Sequence, residues 1–328
     1  MKKDPLSLRG GADLRDDEAI RPGGSSRGIE GAEGSHTTKG GLRIASPYRR
    51  SGAIRNDSSR SLSLPLYTGQ IAETYDTPEF LAVLADPNAF LTGPGAEVLL
   101  GGRNTVAAVA AALDKRRPID IVVKSFGSRG LAKLKSLVQP SKAAKAWRGA
   151  RALIDAGFGT APPIAYLERR RGGFVSESFF VAGRLAGPVE IRGLLRELPR
   201  EKLEPLLAAV AGELARAHGR GLLHRDLSDG NILVESDGSA FRFCFLDTNR
   251  IRVRRRLGAA SRARNLVRLG VPADLRRFFL ERYAAAQGRP LRAGFWFWYR
   301  IAKGTFAGWI GLKKKLRLKT LARKMKIQ

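Results

Sequence analysis

The chain has 328 residues, of which 43% are hydrophobic, enough for a sizeable core in one large domain or two small ones. Its net charge of +29 indicates a polyanionic partner, such as nucleic acid, an anionic membrane surface or a phosphorylated glycolipid. The single cysteine, Cys244, excludes an internal disulfide and agrees with a reducing cytoplasm. No apolar segment follows the N-terminus, and Arg300 and Lys303 interrupt the most apolar late stretch, so we expect neither a signal peptide nor a membrane span.

The N-terminal segment, residues 1–75, is predicted to be a disordered basic arm. Its first 60 residues are rich in Gly, Ser and Arg and show neither helical nor strand periodicity. Thr77-Pro78-Glu79 is typical of a helix start, with an N-cap residue, a proline at the first helical position and an acid in the first turn. We therefore expect a short helix over residues 80–85 and an ordered domain over residues 76–310.

Three short strands are predicted next, over residues 97–100, 105–112 and 119–124. A glycine turn joins the first two strands. Gly101 and Gly102 in this turn are candidate nucleotide-binding residues, because backbone amides of a glycine turn can approach phosphates closely. Two adjacent glycines can equally make a plain hairpin.

Lys124 ends the third strand, where a kinase places the lysine that contacts the α- and β-phosphates of ATP. Taken alone, it would be a surface lysine at a strand end. Residues 141–156 are predicted to form the helix from which kinases supply a glutamate partner for that lysine, yet the only acid there is Asp155. Glu177, in the strand predicted over residues 174–181, is a candidate substitute, although a glutamate in a half-buried strand can also face solvent.

A predicted helix over residues 201–218 leads into the most informative motif of the chain, which we call the catalytic loop. The loop reads His224-Arg225-Asp226-Leu227-Ser228-Asp229-Gly230-Asn231. Asp247 follows it by sixteen residues, at the end of an apolar strand. An HxD triplet alone occurs by chance, but the whole motif at this spacing indicates phosphoryl transfer of the kinase type.

Kinase chemistry needs a carboxylate that accepts the proton of the attacking hydroxyl, together with oxygen ligands that hold Mg²⁺ against the phosphates of ATP. Asp226 is the candidate base, with His224 and Arg225 in the same catalytic motif. Asn231 and Asp247 are the candidate metal ligands. The sequence therefore predicts a phosphotransferase that uses ATP and Mg²⁺.

The last part of the chain is strongly basic, because residues 248–328 hold 23 Lys and Arg against two acids, a net charge of +21. Arg250 and Arg252 are candidate substrate ligands, since guanidinium groups clamp carboxylates and phosphates; a solvated basic face is the alternative. Residues 295–300 are five aromatic residues followed by Arg300, and with Trp309 and the three lysines at 313–315 they combine aromatic rings with cations, which suits an anionic headgroup region or, equally, core packing. Residues 311–328 are predicted to be a basic tail without a clean apolar face, so membrane contact would depend on charge.

These motifs resemble the lipopolysaccharide kinase family, the bacterial Kdo and heptose kinases with a protein-kinase-like fold. The resemblance covers about residues 95–290. It rests on Val122-Val123-Lys124, Ser141-Lys142-Ala143 with Trp147-Arg148, the run from Thr160 to Ala165, Glu177-Ser178, the catalytic loop, and Leu246-Asp247 with Arg250. It implies transfer of the ATP γ-phosphate to a sugar hydroxyl of the lipopolysaccharide inner core, with Asp226 as base and Asn231 and Asp247 on magnesium.

We therefore expect an α+β fold with two lobes, a β-rich small lobe over about residues 90–183 and a shortened helical large lobe over about residues 184–310. The protein is expected to be a monomer at the cytoplasmic face of the inner membrane. Ser228 stands where protein kinases place a lysine, and no Ala-Pro-Glu follows Asp247, so a peptide substrate is not expected. The alternatives are an atypical protein kinase of the RIO type and a basic pseudokinase or RNA-binding module.

Overall fold

The structure is a computed structural model that describes residues 58–102, 104–114, 117–127, 134–185, 187–236 and 240–325. Most of the predicted N-terminal arm lies outside these ranges. The prediction of disorder up to residue 75 is wrong for Ser59–Ser63 and Thr68–Ala72, which form two paired strands. Their apolar residues are too few to show a period in the sequence, yet they pack into the core of the small lobe once the strands join its sheet.

The strands and helices are numbered in chain order within the described residues. The strands are β1 Ser59–Ser63, β2 Thr68–Ala72, β3 Glu97–Leu100, β4 Asn104–Asp114, β5 Arg117–Phe126, β6 Gly159–Thr160, β7 Pro163–Arg171, β8 Phe174–Gly183, β9 Val189–Glu190, β10 Leu222–His224, β11 Ile232–Ser236, β12 Phe241–Phe245 and β13 Ile251–Val253. The helices are α1 Pro78–Leu84, α2 Ala89–Thr92, α3 Lys142–Asp155, α4 Ile191–Glu197, α5 Arg200–Gly219, α6 Ala259–Leu266, α7 Arg276–Ala285 and α8 Ala293–Met325.

The small lobe is built on a seven-stranded sheet in the order β1-β2-β7-β8-β5-β4-β3, and all its neighbouring strands are antiparallel. The three strands predicted between residues 97 and 124 are confirmed as β3, β4 and β5. The helix start predicted at Thr77 is also confirmed, because the Thr77 hydroxyl accepts a hydrogen bond from the Phe80 amide at 3.2 Å. The sheet presents Lys124 on a central strand.

Helix α3 packs against this sheet through a face of small residues and one large one. Ser141 caps it by accepting a hydrogen bond from the Ala144 amide at 2.9 Å. Trp147 and the alanines around it are buried against residues of β5 and β8. A side chain at Gly149 would overlap the backbone carbonyl of Thr248. Glycine at this position lets α3 approach the turn that follows Asp247.

The large lobe has its core around α5, whose buried face faces α7 and the four-stranded sheet β6-β12-β11-β9. Helix α8 contributes Tyr299 and Ala302 to this core. The predicted boundary at residue 310 between domain and tail does not coincide with the end of an element, since α8 continues to Met325. Within the described residues, no helix combines the length and the apolar composition needed to cross a membrane.

Candidate active site

A cleft of about 640 Å³ lies between the sheet of the small lobe and the catalytic loop. This volume is in the range of small-molecule and cofactor sites. Five residues that the sequence singled out line the cleft: Lys124, Asp226, Asn231, Asp247 and Arg250. They come from β5, the catalytic loop and the turn after β12, so the fold brings together residues more than a hundred positions apart.

Asp247 has a left-handed backbone conformation, with φ of 52°, at the start of a 3-10 turn over Thr248–Arg250. A residue other than glycine adopts this conformation at a cost of order 1–3 kcal/mol, and it persists only where the surroundings enforce it. Here the buried Thr248 hydroxyl donates a hydrogen bond to the Ala146 carbonyl of α3 at 2.8 Å. Together with the close approach at Gly149, this bond fixes the backbone that carries the Asp247 carboxylate.

Lys124 pairs with Asp247, at 2.5 Å from Nζ to Oδ1. The Arg250 guanidinium lies on the other side of the same carboxylate, at 3.9 Å from Nε to Oδ2. The sequence predicted that the usual glutamate partner of the lysine is missing from α3, and in the described residues the carboxylate that pairs with Lys124 is Asp247. Both side chains are about one-fifth exposed, so the pair borders the cleft rather than the core.

Asn231 is held next to both aspartates. Its side-chain Nδ2 donates to the backbone carbonyl of Asp226 at 2.8 Å, and its backbone carbonyl accepts from the Leu246 amide at 2.9 Å. Because the amide nitrogen is engaged in this way, the amide oxygen remains as an oxygen ligand. One carboxylate and one amide oxygen suit Mg²⁺, which completes its coordination with phosphate oxygens and water. The residues present therefore fit the predicted magnesium site.

His224 joins the catalytic loop to the segment between β12 and Asp247. Its Nε2 donates to the Leu246 carbonyl at 2.7 Å, and its Nδ1 accepts from the Asp226 amide at 3.2 Å. Burial lowers the pKa of His224, which keeps the ring in the neutral form that this arrangement requires. His224 does not line the cleft, so it positions Asp226 and Asp247 without contacting the reacting atoms.

Arg268 is a site residue that the sequence reasoning missed. Its Nη2 donates to Oδ1 of Asp226 in an ion pair whose two side chains are about one-third exposed. The guanidinium lies 5.4 Å from the ring centre of Phe306, and Lys303 donates to the Val267 carbonyl at 3.0 Å, so α8 supports this segment. Ser228 stands where protein kinases place a lysine, and this departure is the one local signal that the cation beside Asp226 comes from elsewhere in the chain.

The prediction that Glu177 replaces the missing glutamate is wrong. Its carboxylate accepts a hydrogen bond from the Tyr67 hydroxyl at 2.6 Å and pairs with Arg169 at 3.4 Å. Burial, followed by this hydrogen bond, raises the pKa of Tyr67 to about 12. Glu177 lies three residues before Phe180, the residue of β8 opposite Lys124, and its partner Tyr67 lies in the turn between β1 and β2, which join the same sheet through β7. It therefore fastens the β1-β2 hairpin.

The remaining predicted residues surround the cleft without lining it. Gly101 and Gly102 form the turn between β3 and β4, and Gly102 has a φ of 120°, which glycine adopts easily. Their contact with a nucleotide stays a prediction. Arg225 is exposed, and Arg252 donates to the Ile251 carbonyl at 2.8 Å. Burial lowers the pKa of Arg252, as do the charges of Arg225 and Arg250.

Residues 131–283 match the model of the "Lipopolysaccharide kinase (Kdo/WaaP) family". Among solved structures, the chain is similar to "WaaP in complex with acyl carrier protein", with 24% identity, a TM-score of 0.47, and coverage of 66% of this chain and 91% of that chain. It is also similar to the PknI kinase domain of Mycobacterium tuberculosis, with 16% identity, a TM-score of 0.34, and coverage of 64% and 96%. No curated protein matches the chain.

The matched region contains helix α3, the catalytic loop, Asp247 and Arg268, and it starts after Lys124. The family model and the residues of the cleft therefore agree on phosphoryl transfer. Residues 131–283 are therefore similar to the lipopolysaccharide kinase (Kdo/WaaP) family, and the chain is a kinase whose acceptor is an alcohol group.

Proposed function

We propose that the chain transfers the γ-phosphate of ATP, with Mg²⁺, to a sugar hydroxyl of the lipopolysaccharide inner core, on Kdo or heptose. The observation that carries this proposal is that Asp226, Asn231, Asp247 and Lys124 line one cleft of nucleotide size in a chain whose residues 131–283 match this family. In that cleft, Asn231 and Asp247 would hold the metal and Lys124 the phosphates of the nucleotide. Bound Mg²⁺ supplies the positive charge that neutralises the phosphate oxygens.

Asp226 accepts the proton of the sugar hydroxyl in this proposal. Arg268 orients the carboxylate from one side, and the backbone bond to His224 fixes the loop from the other. These contacts limit the motion of the base before the acceptor binds, which matters because kinase catalysis depends mainly on positioning and on charge stabilisation. Arg268 is therefore a positioning residue for Asp226.

The acceptor side of the cleft is cationic. Arg250 lines the cleft, and Arg252 lies close enough to Arg225 and Arg250 for their charges to lower its pKa. Grouped guanidinium groups favour an acceptor that carries carboxylates or phosphates. Inner-core sugars of the Kdo type supply a carboxylate, so this charge supports a glycolipid acceptor over a neutral sugar.

We also propose that α8 docks on the cytoplasmic face of an anionic membrane. At about 100° per residue, its exposed residues Phe297, Trp298, Ile301, Trp309 and Leu312 fall within an arc of about 120°. The opposite face of α8 packs on the large lobe. For the tail, residues 311–328, the sequence predicts membrane contact through charge. In residues 297–312, apolar side chains would also enter the interface, beside Lys and Arg.

The acceptor assignment is tested with the purified full chain, radiolabelled ATP, Mg²⁺ and detergent-dispersed inner-core glycolipids that end in Kdo or in heptose. We expect label in one of the two glycolipids and none with Asp226→Asn, a matched variant that keeps the shape of the side chain. Label that appears only in added protein or RNA-associated protein, with neither glycolipid modified, would contradict the proposal. Label in neither glycolipid and in no protein would favour the pseudokinase alternative.

A further inference from the structure

A second cavity, of about 360 Å³, lies in the large lobe where α6, α7 and the beginning of α8 meet. None of the residues that line it lines the cleft. We call it the arginine pocket, because its lining includes Arg262, Arg289 and Arg292 together with the aromatic rings of Tyr283, Phe295 and Trp298. No Asp or Glu lines it within the part of the chain that the structure describes.

Two guanidinium groups of the arginine pocket lie close together, and among the described residues no carboxylate pairs with either of them. Arg262 and Arg289 both donate a hydrogen bond to the same neutral atom, Oε1 of Gln287, at 2.8 Å in the case of Arg262. Two further donors, Nε of Arg262 and Nε2 of Gln287, are buried without a hydrogen-bond partner in the structure. Buried donors of this kind are costly and usually satisfied, and the neutral acceptors present, Oε1 of Gln287 and the Tyr283 hydroxyl, bring no negative charge to the pocket.

A phosphate group would supply what the arginine pocket lacks. It carries several acceptor oxygens and negative charge, and arginine is the side chain that best matches phosphate geometry. Trp298, which lines the pocket, also belongs to the exposed apolar stripe of α8. The pocket therefore opens beside the surface proposed above to contact the membrane, where the nearest phosphates are those of lipid headgroups.

We propose that the arginine pocket binds the phosphate group of an anionic lipid, with Arg262 and Arg289 as the phosphate ligands and Trp298 at the boundary with the acyl region. The proposal rests on the membrane docking proposed above and is independent of the kinase chemistry. It adds a preference: attraction by charge alone treats all anionic surfaces alike, whereas a built phosphate site favours phosphate over other anionic headgroups.

The experiment measures binding of the full chain to two kinds of phosphatidylcholine vesicle, containing phosphatidic acid or oleic acid and adjusted to the same zeta potential. We expect the unaltered protein to bind phosphatidic acid vesicles at least about fivefold more tightly. Arg262→Gln with Arg289→Gln should abolish this preference. The matched control, Arg264→Gln with Arg282→Gln, removes the same charge from exposed positions of the same two-helix region and should retain it.

Thermal unfolding identifies a variant that fails to fold, in which case Arg289→Gln alone, at a partly exposed position, takes its place. Equal binding of the unaltered protein to both vesicles would overturn the proposal, as would equal losses of preference in the two double variants. Glycerol 3-phosphate serves as a soluble competitor. Competition at the same phosphate concentration as the lipid would assign the pocket to a free phosphate ester and overturn the lipid assignment. Binding to neither vesicle would refute membrane docking and, with it, the lipid site. The proposed phosphoryl transfer is tested separately, by the glycolipid assay described above.

Discussion

The cleft and the C-terminal basic region differ in how their charged side chains are paired. In the cleft, each acid already has a cationic partner: Asp226 has Arg268, and Asp247 has Lys124. In residues 248–328, 23 Lys and Arg face only two acids, and in the arginine pocket two guanidinium groups share one neutral oxygen. A site with internal pairs is ready to exchange its partners for a metal and a nucleotide. The two guanidinium groups of the arginine pocket have no carboxylate partner among the described residues, so a bound anion would add a favourable interaction without displacing one.

The largest effect is expected in the cleft. Asp226→Ala and Asp247→Ala should each lower the rate of phosphoryl transfer by at least about a hundredfold, because positioning and charge stabilisation carry most of this chemistry. The measurement is single-turnover transfer from radiolabelled ATP. Asp247→Ala should also weaken binding of the magnesium nucleotide more than Asp226→Ala does, since only Asp247 is proposed to hold the metal.

Both variants need a check of folding, because Asp247 and Asp226 each lose a cationic partner when they are replaced. Unfolding midpoints within a few degrees of the unaltered protein satisfy this check. If either folded variant turns over at the normal rate, the assignment of the cleft as the catalytic site is wrong. If both variants bind the nucleotide equally well, Asp247 is not a metal ligand.

The second prediction concerns the apolar stripe of α8. Phe297→Ala with Trp309→Ala should lower the affinity for anionic vesicles by roughly thirtyfold, or about 2 kcal/mol, if each side chain enters the interface only in part. The control is Ile310→Ala, which removes an exposed apolar side chain from the other side of the helix. Vesicle flotation at physiological salt measures the affinity. Equal losses in the two proteins would show that the stripe does not face the membrane.

Removing the whole helix would be a poorer test than these substitutions. A chain cut after Gly294 loses Tyr299 and Ala302, which are buried in the core of the large lobe. It also loses Phe306, which packs against the arginine that holds Asp226. Such a truncation would impair folding and catalysis together with membrane binding, so its result could not separate the two regions.

The parts of the site that could be predicted are those whose residues lie close together in the sequence or end a recognisable apolar run. The catalytic loop carries its spacing in eight consecutive residues, and Asp247 and Lys124 each stand at the end of an apolar run, a pattern that the sequence shows directly. For the same reason α3 was predictable, since its cap and its buried face lie within sixteen residues. Local periodicity and motif spacing therefore gave the two lobes and five residues that line the cleft.

The parts that could not be predicted depend on contacts between distant segments. Arg268 is one of many arginines in a basic region, and nothing local distinguishes the one that reaches Asp226, 42 positions away. The pairing of Lys124 with Asp247 spans 123 positions, and that of Tyr67 with Glu177 spans 110. The sequence showed that a glutamate was missing from α3, but only the fold decides which carboxylate takes its place.

The two regions are joined by a buried hydrogen-bond chain, which the third prediction tests. Tyr283 donates to Nδ1 of His218 at 2.7 Å, Nε2 of His218 donates to Asn265 at 2.9 Å, and Asn265 donates to the His224 carbonyl at 2.6 Å. Burial, followed by the charge of Arg262, lowers the pKa of His218 from the usual 6.5 to about 4. The Asn265 hydrogen bond opposes this shift.

The sign of the pH effect follows from this shift. Between pH 4 and 6.5 the unfolded chain binds a proton on His218 that the folded chain does not, so the free energy of unfolding falls as the pH drops through this window. From pH 7.5 to pH 5 the loss through His218 is about 2 kcal/mol. Urea unfolding should show that His218→Gln removes this part of the pH dependence. An unchanged pH dependence in the variant would mean that His218 is protonated in the folded protein.

The smallest effect is expected at Arg268, which belongs to the basic region by sequence and to the cleft by contact. A charge-assisted hydrogen bond contributes about 1.5–3 kcal/mol when buried, and about 1 kcal/mol remains after allowing for the one-third exposure of this pair. Arg268→Gln should therefore lower kcat about fivefold and leave KM for ATP unchanged, because the arginine acts on the base and not on the nucleotide. Arg268→Lys should restore part of kcat. A rise in KM for ATP at constant kcat would show instead that Arg268 binds the nucleotide, and its pairing with Asp226 would then describe only the protein without ATP.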